Sequence, residues 1–497
     1  MCGCIAHARG GWLLRRRVPT ESVANAVQRR RYGRCTAPVG DVDGAESSRT
    51  EHCRGRNFSA VPKCRNRSVN MGRTGRARGA LGLAIGALGC AAFYDAATLH
   101  GRYELPAYGL SGMPLEELAF FAWYILWGGI AAVGFAVAAY QLVGQWLELR
   151  GKQLLDGRGR TVALLCFGVF TASLLFRTVV LDGQPITDDE SAYELNARLL
   201  ALGELTTVPP IDADFLRNQF VIVDQQRFHG KYPMGHSLVL LPFVVLGRVD
   251  LLGPLLAALA MGLSYVVAKR FVRENEAVLA CALLAFSPHF VWTHGTLLSQ
   301  TTSTACMLGA ALFHLRFAET GRASDGLALG ALLGFSVLVR PLPGALIVAV
   351  ICSDGLLHTW RARSIRGVLR WTAWVGPGFL VFLFFLLYCN YVQSGSPLSS
   401  GYVEVHGSYG ALKNESGQLT NAVGVALLRE NAWLLGFPCS LLVLPFARLK
   451  SHGALFWSLI STTLMYRLLV PKTVVSTTGP IYLTEVVPWL CIATAVG

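Results

Sequence analysis

The sequence predicts an all-α, polytopic membrane protein, and three observations lead to this fold class. The chain has 497 residues, of which 53% are apolar and only 15% are charged, whereas soluble domains carry about 25% charged residues. Its mean hydropathy is +0.44. Apolar runs that approach the ~20 residues needed to cross a bilayer recur along the chain. Together these features predict a bundle of about 12 transmembrane helices.

The apolar runs give the elements of this bundle in order. The first two, 79–97 and 118–143, make residues 79–160 a pair of additional N-terminal transmembrane helices. The other runs lie at 161–181, 250–270, 276–292, 298–318, 326–339, 341–357, 372–392, 431–447, 453–470 and 481–497. The last run stops at Gly497 with no loop after it, which leaves open whether the C-terminus is truncated.

The basic character of the chain belongs to its N-terminal tail. Residues 1–78 hold 17 Lys and Arg against 5 Asp and Glu, so they account for +12 of the net charge of +14. The tail has no sustained apolar period, and we expect it to be disordered. The alternative is that translation begins at Met71 and the tail is not made. Charge without interleaved aromatic residues gives no reason to predict a nucleic-acid partner.

Basic residues in the short loops predict the orientation of the bundle, because cytoplasmic loops carry an excess of Lys and Arg. The clusters lie at 150–160, at 269–273, at Arg316 and Arg322, at 361–370, and at Arg448 and Lys450. All of these clusters can be cytoplasmic only if the short apolar segment 237–247 does not cross the membrane and instead lies at its outer interface. The loops 182–235 and 393–430 then face outward, where we expect the chemistry.

The first outer loop contains a predicted amphipathic helix with three acids in its first turn. Thr187 followed by Glu190 has the pattern of a capping box, and leucines recur behind it at helical spacing, so residues 188–202 are expected to form a surface helix. Asp188, Asp189 and Glu190 either compensate the helix dipole or form a substrate site at the membrane boundary. The spacing alone leaves both interpretations open.

The second half of the same loop concentrates cationic side chains. Arg227, His229, Lys231 and His236 lie within ten residues of one another. They either contact lipid headgroups or clamp an anionic phosphate. Arg340 lies between two apolar runs with almost no loop, and a buried arginine there is costly unless it is paired.

These residues and several later ones resemble the GT-C superfamily, polytopic glycosyltransferases that use polyprenyl-phosphate-linked sugars. The pattern resembles protein O-mannosyltransferases, lipid A aminoarabinose transferases and, most of all, the RgtA/B/C/D type, and it covers residues 161–497 as a GT-C-like membrane domain. The motifs are Asp189-Glu190-x-x-Tyr193, Phe228-x-x-Lys231-Tyr232-Pro233-x-Gly235, Ser287-Pro288-His289-Phe290, Val339-Arg340-Pro341, Asn390-Tyr391 with Gly395-Ser396-Pro397, and Gly479-Pro480-Ile481-Tyr482 with Glu485.

The resemblance implies roles for individual residues. Asp189 is expected to be the general base, with Asp188 as the fallback because the doubled Asp makes the register uncertain, and Lys231 is expected to hold the donor phosphate. The sequence departs from the family pattern at two positions. Gln300 lies where relatives often have an acid or His, which argues against a site with two carboxylates, and Ile481 lies where many have Arg, which removes one possible phosphate ligand. The other candidates are Glu190 for catalysis, Arg340, His229 and His236 for phosphate binding, and Tyr193, Tyr232, Tyr482 and Glu485 for substrate binding.

The implied activity is transfer of a sugar, with inversion, from a polyprenyl phosphate to a hydroxyl acceptor on the outer membrane face. The expected partners are membrane lipids, the lipid-linked donor and a glycan, lipid or protein acceptor, and the expected location is the bacterial inner membrane with the site facing the periplasm. No cofactor or metal ligand set is predicted, although a divalent metal is not excluded. The alternatives are a lipid-linked sugar transporter or flippase, and a catalytically inactive relative.

Overall fold

Helices make up nearly all the regular structure in a computed structural model of the chain. The structure describes residues 73–100, 126–141, 157–210, 220–224, 226–361, 364–402, 441, 443–469 and 481–497. Over these residues the all-α fold class is confirmed, with one two-stranded sheet as the exception. The predicted tail lies outside the described residues up to position 72, and so does most of the loop 393–430.

The elements before residue 246 include a helical pair, a first long span and the components of the outer loop. They are α1 (Arg73–His100), α2 (Leu126–Gln141), α3 (Arg158–Leu175) continued by a π-helical turn (Phe176–Val180), α4 (Asp188–Ala201), β1 (Val221–Val223), β2 (Phe228–Gly230) and α5 (Gly235–Val245). The two strands form an antiparallel hairpin in which Ile222 is opposite His229.

The elements after residue 246 are all helical. A 3-10 turn (Val249–Leu251) leads into α6 (Leu252–Phe271), followed by α7 (Glu274–Ala285), α8 (Pro288–His294), α9 (Gln300–Thr320), α10 (Ala323–Val339), α11 (Pro341–Arg361), α12 (Ile365–Ser394), short 3-10 turns at Leu444–Phe446 and Ile481–Val486, α13 (Gly453–Leu469) and α14 (Val487–Val496).

Fewer helices than expected have the length and hydropathy of a membrane span. Among the described residues four qualify: Arg158–Val180, Val249–Phe271, Pro341–Trp360 and Ile365–Ser394. A fifth arises if α7 and α8, which are bent by 63° at Phe286–Ser287, are counted as one broken span. The predicted count of about 12 is therefore not confirmed, although four of the predicted runs coincide with these helices.

α9 shows why an apolar run is not always a lipid-facing span. Its first turns carry Gln300, three threonines and a serine, and almost every residue up to Phe317 is buried. It packs against α6 and α10, inside a core that contains Phe271, Phe456 and Trp489 with ring centroids 5.3–5.7 Å apart. A helix surrounded by other helices can keep polar side chains that a lipid-facing helix cannot.

Close packing fixes α10 against α12. A Cβ atom at Gly330 would collide with the carbonyl oxygen of Val375, and one at Gly334 would lie 2.5 Å from that of Phe379. Glycine at these positions lets the two backbones approach, as small residues do in membrane helix pairs. The position of Arg340, at the C-terminal end of α10, is set by this contact.

Short connections place the ends of the helices at two opposite ends of the bundle. α9, α10 and α11 follow one another with connections of one or two residues, so they alternate in direction. The start of α9 lies with the end of α10 and the start of α11, and α4 and α5 pack there too. We call this the Asp189 end, and the opposite one the His314 end. α5 has 11 residues, about 16 Å, too short to cross a core of about 30 Å.

Candidate active site

The first turn of α4 is anchored by Glu190. Its carboxylate is fully buried and accepts hydrogen bonds from Arg177 at 3.1 Å, from the backbone N–H of Leu297 at 2.8 Å and from that of Ile186 at 3.0 Å. Burial raises the pKa of Glu190, and these bonds act in the opposite direction. The carboxylate thus joins three separate segments of the chain.

This geometry corrects two expectations about the helix start. The reciprocal capping box is not formed, because the Thr187 hydroxyl donates to Glu190 at 3.4 Å and the carboxylate reaches the N–H of Ile186 instead of that of Thr187. Glu190 was also a catalytic candidate, but both of its oxygens are engaged in holding the fold. We therefore assign it to positioning the helix.

Asp188 and Asp189 differ in environment although they are adjacent. Asp188 is exposed, whereas Asp189 is partly buried. Burial raises the pKa of Asp189 to about 6, and the positive charges of Lys231 and Arg340 partly oppose this shift. Of the two carboxylates, Asp189 is therefore the one in electrostatic contact with the cations of the Asp189 end.

Lys231 lies in a cage of aromatic rings. Its Nζ is 4.2 Å from the ring centroid of Phe220, 5.2 Å from that of Tyr232 and 5.9 Å from that of Tyr402. The residue is only 6% exposed, and burial lowers its pKa while Asp189 raises it. Cation–π contacts of this kind stabilise a desolvated ammonium group by about 2 kcal/mol, so they favour the charged form of Lys231, as Asp189 does.

Asn196 holds the backbone on both sides of Lys231. Its Oδ1 accepts from the N–H of Gly230 at 2.7 Å, and its Nδ2 donates to the carbonyl of Tyr232 at 3.0 Å. Asn196 lies two turns after Asp189 on the same helix, α4. One rigid element therefore carries the carboxylate and fixes the lysine loop. The sequence offered no signal for this residue beyond a polar position on the apolar face of α4.

Arg340 forms a buried ion pair with Glu485. Its Nη1 donates to Glu485 Oε1, and the two side chains are 8% and 2% exposed. The guanidinium also lies 5.7 Å from the ring centroid of Tyr482. Arg340 is thus brought together with two predicted site residues, Tyr482 and Glu485, that lie more than 140 positions further along the chain. Because Glu485 neutralises Arg340, Lys231 is the less compensated of the two cations.

The two histidines expected to bind phosphate are engaged within the fold. His236 is fully buried, with Nε2 donating to the Leu297 carbonyl at 2.8 Å and Nδ1 bonded to the Thr302 hydroxyl at 2.8 Å. Burial lowers its pKa to about 4, so it is neutral and offers no charge; its proposed role in phosphate binding is not supported. His229 is buried in β2, where Nδ1 contacts the Gly230 carbonyl at 3.0 Å.

Tyrosines form the wall between these groups. Tyr193 stacks on Tyr232 with centroids 4.6 Å apart, and its hydroxyl is 2.7 Å from Ser299 Oγ. Burial and the charge of Asp189 both raise the pKa of Tyr193. Tyr193 is thus a buried, bonded wall residue, and Tyr482 is the more accessible of the three predicted tyrosines.

The site as a whole offers one carboxylate of raised pKa, one caged lysine and one paired arginine. Such a set can accept a proton and stabilise an anion at one end of the bundle. In the described part of the chain, no group of three or more His, Cys, Asp or Glu side chains is arranged to hold a metal ion.

Comparison with known proteins relates the middle of the chain to one family. Residues 247–388, from the start of α6 to α12, match the family of dolichyl-phosphate-mannose-protein mannosyltransferases. The match includes Arg340 but not Asp189 or Lys231. It confirms, for this segment, the resemblance to GT-C glycosyltransferases that the motifs indicated. No curated protein matches the chain.

Two crystal structures of ArnT from Cupriavidus metallidurans are similar to the fold at low scores. The structure bound to undecaprenyl phosphate is 17% identical with a TM-score of 0.44, covering 68% of this chain and 60% of ArnT. The apo structure is 16% identical with a TM-score of 0.43, covering 69% and 59%. The chain thus spans about 60% of the length of ArnT.

Proposed function

We propose that this integral membrane protein transfers a sugar from a polyprenyl-phosphate donor to a hydroxyl acceptor, with inversion at the anomeric carbon. The observation that carries the proposal is the partly buried carboxylate of Asp189, which interacts electrostatically with both Lys231 and Arg340. A base and an anion-stabilising cation at one end of an apolar bundle are the two groups that this reaction needs.

In the proposed reaction Asp189 accepts a proton and Lys231 stabilises the leaving phosphate. The acceptor oxygen attacks the anomeric carbon as its proton passes to Asp189, and the bond from that carbon to the phosphate oxygen breaks. The electron pair leaves with the phosphate, whose developing charge Lys231 stabilises. A base whose pKa is about 6 is ionised at neutral pH and close enough to it to accept a proton efficiently.

The donor phosphate is assigned first to Lys231. Its ammonium group has aromatic neighbours and Asp189, whereas the charge of Arg340 is shared with Glu485. We assign Arg340 to a secondary role, in which it shapes the field around the phosphate through the Glu485 pair. The donor sugar and the acceptor stay unassigned, and we propose the bacterial inner membrane, with the Asp189 end facing the periplasm, as the location.

A lipid-linked sugar transporter is the second candidate, and one observation favours it. Transporters place substrate at broken helices, and α7 and α8 are bent by 63°. The segment after α8, however, supplies Leu297, which bonds to Glu190, and Ser299, which bonds to Tyr193. This segment therefore supports the Asp189 site, which fits the transferase better.

The proposal is tested by donor turnover in the purified, full-length protein in nanodiscs. Undecaprenyl-phosphate-linked mannose and aminoarabinose serve as probes, with release of undecaprenyl phosphate as the readout. We expect Asp189→Asn and Lys231→Ala to reduce turnover by at least 100-fold, an effect of the size typical of a lost general base, while the neighbouring Asp188→Asn changes it less than threefold.

Full turnover in both Asp189→Asn and Lys231→Ala would overturn the assignment. If the wild type moves either probe across a liposome membrane without cleaving it, the protein is a transporter. If it neither cleaves nor moves a probe, while binding undecaprenyl phosphate in a Lys231-dependent manner, the chain is an inactive relative.

A further inference from the structure

A second polar cavity lies at the His314 end, opposite the candidate active site. α9 has 21 residues, about 31 Å, and Gln300 and Thr320 at its two ends belong to different ends of the bundle. The cavity has a volume of about 320 Å³. Its polar lining consists of His314, Glu319, Thr320, Asp354, His358, Thr359, Arg370, Trp371 and His452. We propose that this cavity binds a phosphate group, independently of the function proposed for the Asp189 end.

The carboxylate of Asp354 interacts with all three histidines of the cavity. His314 Nε2 is 2.8 Å from Asp354 Oδ2, and Asp354 also interacts electrostatically with His358 and His452. These residues come from three different elements: His314 from α9, Asp354 and His358 from α11, and His452 from the segment before α13. The cluster is therefore a product of the fold and not of one stretch of sequence.

Two buried nitrogen atoms of residues that line this cavity have no hydrogen-bond partner among the described residues. They are Nδ1 of His314 and Nε1 of Trp371. The His314 side chain is only 4% exposed. Because the Asp354 carboxylate accepts, His314 Nε2 carries a proton. The indole N–H of Trp371 can only donate, so the occupant has to offer acceptors.

Gly355 lets Trp371 pack closely against α11 at the edge of this cavity. A Cβ atom at Gly355 would lie 2.8 Å from Trp371 Nε1 and 3.4 Å from His314 Cε1. The first of these distances is shorter than any ordinary contact of a Cβ atom, so a side chain here would displace the Trp371 ring. The position of the indole N–H thus depends on glycine at this site.

The balance of charge favours an anion. Arg370 is a permanent cation and donates to the Gly321 carbonyl. Of the two acids in the lining, Glu319 is paired with Arg270 and Asp354 with His314. A phosphate group has several acceptor oxygens and a negative charge, which match an arginine and an indole N–H.

A neighbouring groove indicates that the phosphate belongs to a lipid. It has a volume of about 1270 Å³ and shares Thr359 with the cavity. Its other lining residues are mostly apolar and include Trp360, which is 79% exposed, and Ile365, which is 76% exposed. Acyl chains lying in this groove would place a headgroup phosphate at the cavity. Arg366, which is exposed near the start of α12, adds a positive charge beside this groove, and such charges attract anionic lipids.

The test uses the full-length protein in detergent and two kinds of probe. Inorganic phosphate is titrated with line broadening of its ³¹P NMR signal, and phosphatidic acid is titrated by native mass spectrometry, with diacylglycerol as the lipid without a phosphate. We expect phosphatidic acid to bind about tenfold more tightly than diacylglycerol.

Variants locate the binding at the cavity. Trp371→Phe removes the indole N–H but keeps an aromatic ring, and Gly355→Val displaces the Trp371 ring; we expect each to weaken phosphatidic acid binding about tenfold. Arg366→Gln, an exposed arginine one turn from Arg370 on α12, is the matched control and should change it less than twofold. If Gly355→Val does not fold, Trp371→Phe decides.

The outcomes separate the two sources of the phosphate. Binding of phosphatidic acid with little binding of inorganic phosphate supports a lipid headgroup, and tight binding of inorganic phosphate supports a soluble phosphate compound. Binding of neither probe, unchanged binding in Trp371→Phe and Gly355→Val, or an equal loss in Arg366→Gln overturns the proposal, and water is then the occupant of the cavity.

Discussion

The side-chain amide of Asn196 bonds to the backbone on both sides of Lys231, at 2.7 Å to the N–H of Gly230 and 3.0 Å to the carbonyl of Tyr232. Asn196 and Asp189 belong to the same helix. The distance between the candidate base and the candidate phosphate-binding lysine is therefore set by one rigid element and two hydrogen bonds. Such support for a site by a neighbouring buried group is what precise placement requires.

Replacing Asn196 by Ala should loosen the lysine loop without removing a charge. Buried backbone groups left without partners cost about 1–3 kcal/mol each, so we expect a lower unfolding temperature and a raised KM for the lipid donor, with a smaller change in kcat. Donor kinetics in nanodiscs and thermal unfolding check this. Asn196→Asp keeps the bond to the Gly230 N–H, so its KM should lie between those of the wild type and Asn196→Ala. A fall in kcat with no change in KM would contradict a positioning role.

The buried pair of Arg177 and Glu190 should dominate the stability of the α4 start. Removing one member leaves an uncompensated buried charge, which costs about 3–5 kcal/mol. We therefore expect Arg177→Met and Glu190→Gln each to destabilise the protein strongly, and the double variant to cost less than the sum of the two. Chemical unfolding in detergent measures these free energies.

The exposed pair of Arg198 and Glu194 provides the matched control on the same helix. These side chains are 66% and 22% exposed, and such surface pairs contribute about 0.3–0.5 kcal/mol. Arg198→Met should therefore have little effect. Additive effects of Arg177→Met and Glu190→Gln would show that the two residues do not act as a pair.

The sequence predicted which groups meet at the Asp189 end better than it predicted what each group does. Asp189, Lys231 and Arg340 were all identified, because charged residues next to apolar runs are conspicuous. The partners of these residues were not, since Glu485 is 145 positions from Arg340 and Ser299 is 106 from Tyr193. Arg177 was hidden inside an apolar run, and the lowered pKa of His236 follows from its burial, which only the fold creates.

The predicted count of about 12 spans is not confirmed, and α9 shows a related physical reason. Hydropathy records composition, but α9 is polar at its start because other helices surround it. Whether an apolar segment faces lipid or protein depends on tertiary packing, which a single sequence does not record.

The raised pKa of Asp189 predicts the pH dependence of the reaction. With a pKa of about 6, the carboxylate is protonated below that value and cannot accept a proton, so kcat/KM should fall tenfold per pH unit below about pH 6. A profile of kcat/KM from pH 4.5 to 8 checks this, and Asp188→Asn, which alters the exposed neighbour, should leave the midpoint nearly unchanged. A flat profile through pH 6 would remove Asp189 from the role of base.

The same shift has a consequence for stability. The pKa of Asp189 is higher in the folded protein than its ordinary value of 3.8, so the folded state holds this proton more tightly than the unfolded state does. Stability should therefore decrease as the pH rises from about 4 to 6. Asp189→Asn should remove this loss and unfold at a higher temperature than the wild type at pH 7, even though it is inactive. A lower unfolding temperature for that variant would contradict the prediction.

The ion pair of Arg340 and Glu485 should affect the affinity for the lipid donor. Glu485 neutralises the guanidinium, so Glu485→Gln should leave Arg340 with an uncompensated positive charge close to Asp189 and Lys231. We expect this variant to bind undecaprenyl phosphate more tightly than the wild type, and Arg340→Gln to bind it more weakly. Native mass spectrometry with undecaprenyl phosphate at low and high salt measures both, because an electrostatic gain is screened by salt.

The two single variants separate an electrostatic role from a structural one. Both break the same buried pair, so each should lower the unfolding temperature, and a loss of affinity caused by unfolding would be shared by both. Opposite changes in affinity with similar losses of stability can arise only if the charge of Arg340 acts on the phosphate. Equal losses of affinity in Glu485→Gln and Arg340→Gln would mean that the pair only holds the end of α10 in place, and that Lys231 alone binds the donor phosphate.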